Sequence, residues 1–98
     1  MTEVGDSTVS RDFVVINELG MHVRPATTLA ILALEHEDTD VFLTSGDKTV
    51  NAKTPLLVLT LANVKGTHYT VSANGPHAEE VVESIVAAAA RKFDVKGD

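Results

Sequence analysis

The stretch GMHVRPATTLA, Gly20 to Ala30, holds a glycine, a histidine, an arginine and a proline in its first six positions, then turns apolar. From Val23 to His36 the apolar residues Ala26, Leu29, Ala30 and Ala33 recur at helical spacing, which predicts a helix over 23–36. Pro25 falls in its first turn, where a backbone N–H has no intrahelical partner to lose, and Gly20 permits a tight approach to the helix. His22 then stands at or just before the helix N-terminus, a position that packing alone does not ask of it.

Outward from that helix the rest of the chain falls into short elements. Asp12–Asn17 (DFVVIN) is β-branched and bounded by polar residues, and predicts a first strand. Asp40–Thr44 and Lys48–Ala52 flank Ser-Gly-Asp and predict a hairpin. Thr54 followed by Pro55 predicts the N-cap and first residue of a short helix, although LVLTL after it also alternates like a strand. Thr67–Ala73 predicts a fourth strand. From Pro76 to Phe93, residues Ala78, Val81, Val82, Ile85, Ala88, Ala89 and Phe93 share one face of a last helix. Its acidic residues lie near the start and Arg91 and Lys92 near the end, as the helix dipole favours. The order βαββαβα, with helices able to cover one face of four strands, predicts an α+β open sandwich.

Composition narrows the function classes. At 98 residues with 44% hydrophobic and 22% charged side chains, the chain has the make-up of one folded domain. Residues 1–10 read as a disordered lead-in without the basic head and apolar stretch of a secretory signal, and 11–98 as the domain. The longest apolar run, LAILAL, is far short of the roughly 18 residues of a membrane span, so a cytoplasmic protein without membrane insertion is expected. A net charge of −6 with only eight scattered Lys and Arg argues against nucleic acid as a partner. Without cysteine there are no disulfides or thiolate metal sites, and His36, His68 and His77 have no metal-site spacing.

The head of the first helix carries the chemistry. Unpaired N–H groups of a helix N-terminus form a ready anion site, and the positive end of the dipole favours a neutral, nucleophilic imidazole. Arg24 adds a guanidinium fork matched to phosphate oxygens. A histidine so placed can take a phosphoryl group covalently and pass it on. The plainer alternative makes His22 a helix cap and Arg24 a solvated charge. Beside the core stripe a second one, Val23, Thr27, Ile31 and Leu34, gives the helix more apolar surface than a core needs. It suits either a docking face or deeper burial.

GMHVRPATTLA resembles the active-site segment of the histidine-containing phosphocarrier (HPr) family of the bacterial phosphoenolpyruvate-dependent phosphotransferase system. Gly20, Met21, His22, Arg24, Pro25 and Ala26 match its motif, and the similarity runs on through GDKTVNAKTPLLVLTLANVKG to the last helix. The resemblance implies an open-faced β-sandwich: four antiparallel strands with three helices on one face. It implies His22 as the phosphorylated nucleophile, with phosphate on Nδ1 in the family, and Arg24 as the phosphate stabiliser. It implies Enzyme I as donor and an Enzyme IIA-type acceptor, with Leu56 and Leu59 joining the docking face. The chain would be a monomeric carrier rather than a stand-alone enzyme. It would hold no cofactor of its own, Mg²⁺ and phosphoenolpyruvate being used by the upstream partner.

Two departures are visible. Some members carry a regulatory serine after a lysine at the head of the short helix; here the pair is Lys53-Thr54, followed by Pro55, so Thr54 is a candidate for a regulatory kinase as well as an N-cap. Members that feed sugar uptake often have basic side chains around the histidine, whereas Arg24 is alone on its helix, which leaves a nitrogen- or regulation-linked branch open. The alternative of a different class is a non-catalytic binding module that docks on a transcription factor or enzyme according to its phosphorylation state.

Overall fold

The structure, a computed structural model, describes residues 8–98. The elements run β1 (Val9–Val14), α1 (Val23–Leu34), β2 (Asp40–Ser45), β3 (Lys48–Asn51), α2 (Pro55–Val58), β4 (His68–Asn74) and α3 (Ala78–Ala90). The four strands form one antiparallel sheet in the order β1-β4-β2-β3. Phe13, Val41, Leu43, Val50, Tyr69, Val71 and Ala73 are buried on the face that carries the helices. The alternate positions are open and, apart from Phe42, mostly polar: Thr44 and Thr49 share a hydroxyl–hydroxyl bond of 2.7 Å, and the Thr70 hydroxyl donates to Asp12 at 2.7 Å. A period of two divides the sheet this way, so one face makes the core and the other meets water. This is the expected α+β open-faced sandwich.

Most predicted elements stand within a residue or two; the first strand and the last helix do not. The first strand starts at Val9 rather than Asp12 and ends at Val14, because β4 pairs Val9 with Ala73 through to Val14 with His68. Val9 and Ser10 are therefore sheet residues and not part of a lead-in; residues 1–7 of that expected lead-in lie outside the described residues. The hydrophobic run VVIN misled because it continues past the sheet: Val15 is buried, and Ile16 is exposed.

The short helix predicted from Thr54-Pro55 is present, and the strand-like alternation of LVLTL does not make a strand. After Val58 the chain continues in short-range bonds, Leu59 N–H to Pro55 O at 3.1 Å and Leu61 N–H to Val58 O at 3.1 Å. Val58 and Leu61 are buried, while Leu56 and Leu57 face out. Leu59, expected on the docking face, is partly buried against the core instead. Thr54 occupies the predicted N-cap position but its side chain makes no capping bond; only its carbonyl accepts, from Leu57 and Val58 N–H at 3.0 and 3.2 Å.

The last helix ends at Ala90, short of Phe93, and Lys92, Phe93 and Asp94 all adopt positive φ (57°, 54° and 59°). A left-handed residue without glycine costs about 1–2 kcal/mol, so three cost about 3–6 kcal/mol. Burying the Phe93 ring, which meets Phe13 edge-on at 6.1 Å, returns about 1.5–3 kcal/mol. The balance comes from polar bonds, above all those from Asn17 to the Lys92 carbonyl at 2.9 Å and from the Lys92 ammonium to the Asp98 carbonyl at 2.8 Å. The turn reverses the chain, and residues 95–98 run back to the head of α1 as a strap.

Candidate functional site

Gly20 sets the position of His22. Its φ is +71°, and a Cβ there would lie 1.9 Å from the Asn63 carbonyl oxygen, so only glycine fits. That closeness lets Met21 N–H donate to the same oxygen at 2.8 Å while the Met21 side chain is fully buried. The next residue, His22, is extended (φ −88°, ψ −169°) and is the N-cap of α1. Its carbonyl accepts from Ala26 N–H at 3.1 Å, but its ring makes no capping bond. The plainer alternative of a capping side chain is therefore not what the ring does. Pro25 is buried in the first turn as predicted, and no described residue accepts from the N–H groups of Val23 and Arg24.

The ring is instead held from one side. His22 Nε2 lies 2.6 Å from Asp98 Oδ2, with the ring about one-quarter exposed (26%) and the carboxylate buried at 3%. Asn17 Nδ2 donates to the same carboxylate at 3.0 Å, and Leu19 N–H donates to its other oxygen at 3.0 Å. Burial alone would raise the Asp98 pKa, but the bonds from His22, Asn17 and Leu19 outweigh it and hold the carboxyl down at about 2. Asn17 is itself fully buried, and both partners of its amide nitrogen are acceptors, which fixes the amide orientation and leaves Oδ1 without a partner.

Arg24 is exposed, and its guanidinium has no ion pair among the described residues. It borders an open groove between α1 and the strap, lined also by Val23, Thr27, Thr28 and Lys96. Of the second stripe on α1, Val23, Ile31 and Leu34 are 52–58% exposed, which decides for an exposed face over deeper burial. Thr27 is exposed too, with its hydroxyl turned back to the Val23 carbonyl at 2.7 Å. Leu56 on α2 is exposed, and α2 packs beside α1. Sequence reasoning missed Leu19 and Val64, exposed at 72% and 70%, which reach the site through the Leu19–Asp98 bond and the contact of Gly20 with Asn63 and Val64. It also missed Asn17 and Asp98.

Away from this site, His36 and His77 stack at 4.7 Å and His77 Nδ1 meets Asp38 at 3.1 Å, tying the turn after α1 to the start of α3. No group of three or more metal-ligating side chains exists among the described residues. No helix among them is long and apolar enough to cross a membrane.

An imidazole at the head of a helix, with unpaired amides and a free guanidinium beside it, can receive a phosphoryl group. Residues 9–91 match the family model described as the PTS HPr component phosphorylation site. The chain belongs to the HPr family. It is 43% identical over 70 residues to the phosphocarrier protein HPr of Vibrio cholerae, covering 71% of this chain and 81% of that one. It is 35% identical over 86 residues to the phosphocarrier protein NPr of Shewanella violacea, covering 88% and 93%. Among solved structures, HPr of Bacillus anthracis aligns with a TM-score of 0.76 at 31% identity, covering 83% of this chain and 95% of that one. HPr of Thermoanaerobacter tengcongensis aligns at 0.83 with 25% identity, covering 90% and 98%. The HPr fold and membership give this chain a phosphocarrier role in the phosphotransferase system.

Proposed function

We propose that His22 takes a phosphoryl group from Enzyme I and hands it to an Enzyme IIA-type acceptor. The observation that carries this reading is the His22 ring itself: N-cap of α1, partly exposed, and anchored through one nitrogen only. The incoming phosphoryl oxygens find the free amides of the first turn and the unpaired guanidinium of Arg24, which together stabilise charge on the group in transit. The chain needs no cofactor of its own, with Mg²⁺ and phosphoenolpyruvate acting at the upstream partner.

Val23, Thr27, Ile31, Leu34 and Leu56 form the face that partners meet, with Leu19 and Val64 beside the histidine. A carrier that visits a donor and then an acceptor needs a small, short-lived contact, and exposed apolar side chains around a reactive group provide one. The test is a relay. The protein is charged with Enzyme I, phosphoenolpyruvate and Mg²⁺, freed of donor, and mixed with an Enzyme IIA domain. Transfer to the acceptor, with return of the carrier to its unmodified mass, is expected; a stably charged carrier that releases nothing to any acceptor would leave only the binding-module alternative. Because relatives bear both HPr and NPr names, the sugar and nitrogen forms of Enzyme I should be compared as donors, and the faster one assigns the branch.

Regulation at Thr54 is a second proposal, favoured by one observation. Its exposed hydroxyl is not used as a cap, so phosphorylation there would break no existing bond of α2.

A further inference from the structure

We propose that Asp98 is the positioning residue of His22: its carboxylate holds the ring in the tautomer protonated on Nε2 and leaves the Nδ1 lone pair free for phosphorus. The inference rests on the carrier reading above and adds to it a residue that the HVRP motif does not contain.

Three donors converge on this one carboxylate. Leu19 contributes a backbone N–H at 3.0 Å, which can only donate, and Asn17 an amide nitrogen at 3.0 Å, which also faces the Lys92 carbonyl. The third partner is His22 Nε2 at 2.6 Å. A carboxyl with a pKa near 2 is ionised at neutral pH and has no proton to share. The hydrogen between Oδ2 and Nε2 therefore belongs to the histidine, and in a neutral ring that leaves Nδ1 bare. The cradle is also fixed from behind, since the Lys92 ammonium donates to the Asp98 carbonyl at 2.8 Å and the left-handed turn at 92–94 sets the direction of the strap.

The chemistry balances without moving that proton. The Nδ1 lone pair forms the N–P bond, and the bond from phosphorus to the donor breaks with its electron pair staying on the donor. Nε2 keeps its hydrogen throughout. The ring gains a positive charge as the N–P bond forms, and the charge lies against the Asp98 carboxylate. In onward transfer the N–P electron pair returns to Nδ1, and the ring leaves neutral rather than as an imidazolate. One carboxylate thus supports both directions of the relay.

The test separates positioning from transfer. Ring ¹⁵N NMR on the free, unphosphorylated protein at a pH where the imidazole is neutral reads the tautomer directly. The wild-type ring should be the Nε2–H form, and Asp98→Asn should yield a mixture of tautomers. Phosphorylation by Enzyme I should slow by about ten- to a hundredfold in Asp98→Asn, the loss expected for one hydrogen bond to a charged group. Asp98→Glu should recover part of that rate if the strap can yield to the longer side chain. A wild-type ring protonated on Nδ1, or an Asp98→Asn protein with wild-type tautomer and rate, overturns the inference. The wild-type spectrum decides the tautomer even if Asp98→Asn does not fold. A wild-type protein that takes no phosphoryl group at all would instead overturn the carrier reading, which that spectrum does not touch.

Discussion

Replacing Gly20 by alanine should destabilise the domain and disturb the site together. Two costs follow from the structure. At φ +71° an alanine pays the left-handed penalty of about 1–2 kcal/mol. Its Cβ would lie 1.9 Å from the Asn63 oxygen, where real Cβ atoms keep at least 3.0 Å, so the 63–64 backbone must retreat by about 1 Å. That retreat breaks the 2.8 Å bond from Met21 N–H to the same oxygen, at a position where Met21 is fully buried, for about a further 1–3 kcal/mol. The total is about 2–5 kcal/mol, a large share of the roughly 5–15 kcal/mol that holds an ordinary domain together. For a domain of this size it corresponds to a fall in Tm of about 8 °C or more. Urea unfolding followed by circular dichroism measures it, with Gly46→Ala as the control. Gly46 also has positive φ (+63°) but a Cβ there meets nothing within 4 Å, so that variant should pay only the first cost. If the two variants lose the same stability, the close approach of Gly20 to Asn63 is not a structural constraint and the account of how His22 is placed fails.

Other expectations follow from the same geometry. Leu56→Glu should slow phosphorylation by Enzyme I with stability changed by no more than about 0.5 kcal/mol, since the side chain is 75% exposed. Leu59→Glu should cost about 1–3 kcal/mol of stability because Leu59 packs against the core; equal melting of the two variants would put Leu59 back on the surface. Arg24→Ala should cut the transfer rate by about 10²–10³-fold without loss of stability, and Arg24→Lys should recover part of it, because a point charge replaces a planar fork; a wild-type rate for Arg24→Ala would make Arg24 an ordinary surface charge. Asp98 gives a pH dependence with a definite sign. Its folded pKa, about 2, lies below the unfolded value near 3.9, so its contribution is fully present above pH ~4 and is lost as pH falls through about 2. The Leu19 amide shift reports it, and a midpoint near 4 would mean a solvated carboxylate.

The sequence announces the half of the site proposed to be reactive and is silent on its support. His22, Arg24 and Pro25 stand in one short segment at the start of a periodic helix, so spacing alone brings them together. The buried face of α3 was equally plain, because six of its apolar positions repeat at helical spacing and all six are buried. Asp98 is 76 residues from His22 and arrives there only because three residues without glycine turn left-handed. Hydrophobic periodicity reports burial, not chain reversal, and nothing in Arg91-Lys92-Phe93-Asp94 advertises positive φ. Asn17 carried a faint signal, a polar residue closing an apolar run, but its burial depends on the strap as well. Leu59 was misplaced for a related reason: in a four-residue helix followed by a tighter turn, the 3.6-residue period does not persist long enough to assign a face.

The central claim is that the phosphoryl group is carried on His22, and intact-mass measurement after incubation with Enzyme I, phosphoenolpyruvate and Mg²⁺ tests it most directly. Wild-type protein should gain the mass of one phosphoryl group, labile to acid and stable to base, and a folded His22→Ala variant should gain nothing. A His22→Ala protein that takes up the same group under the same conditions would contradict the claim and place the carrier site elsewhere on the chain.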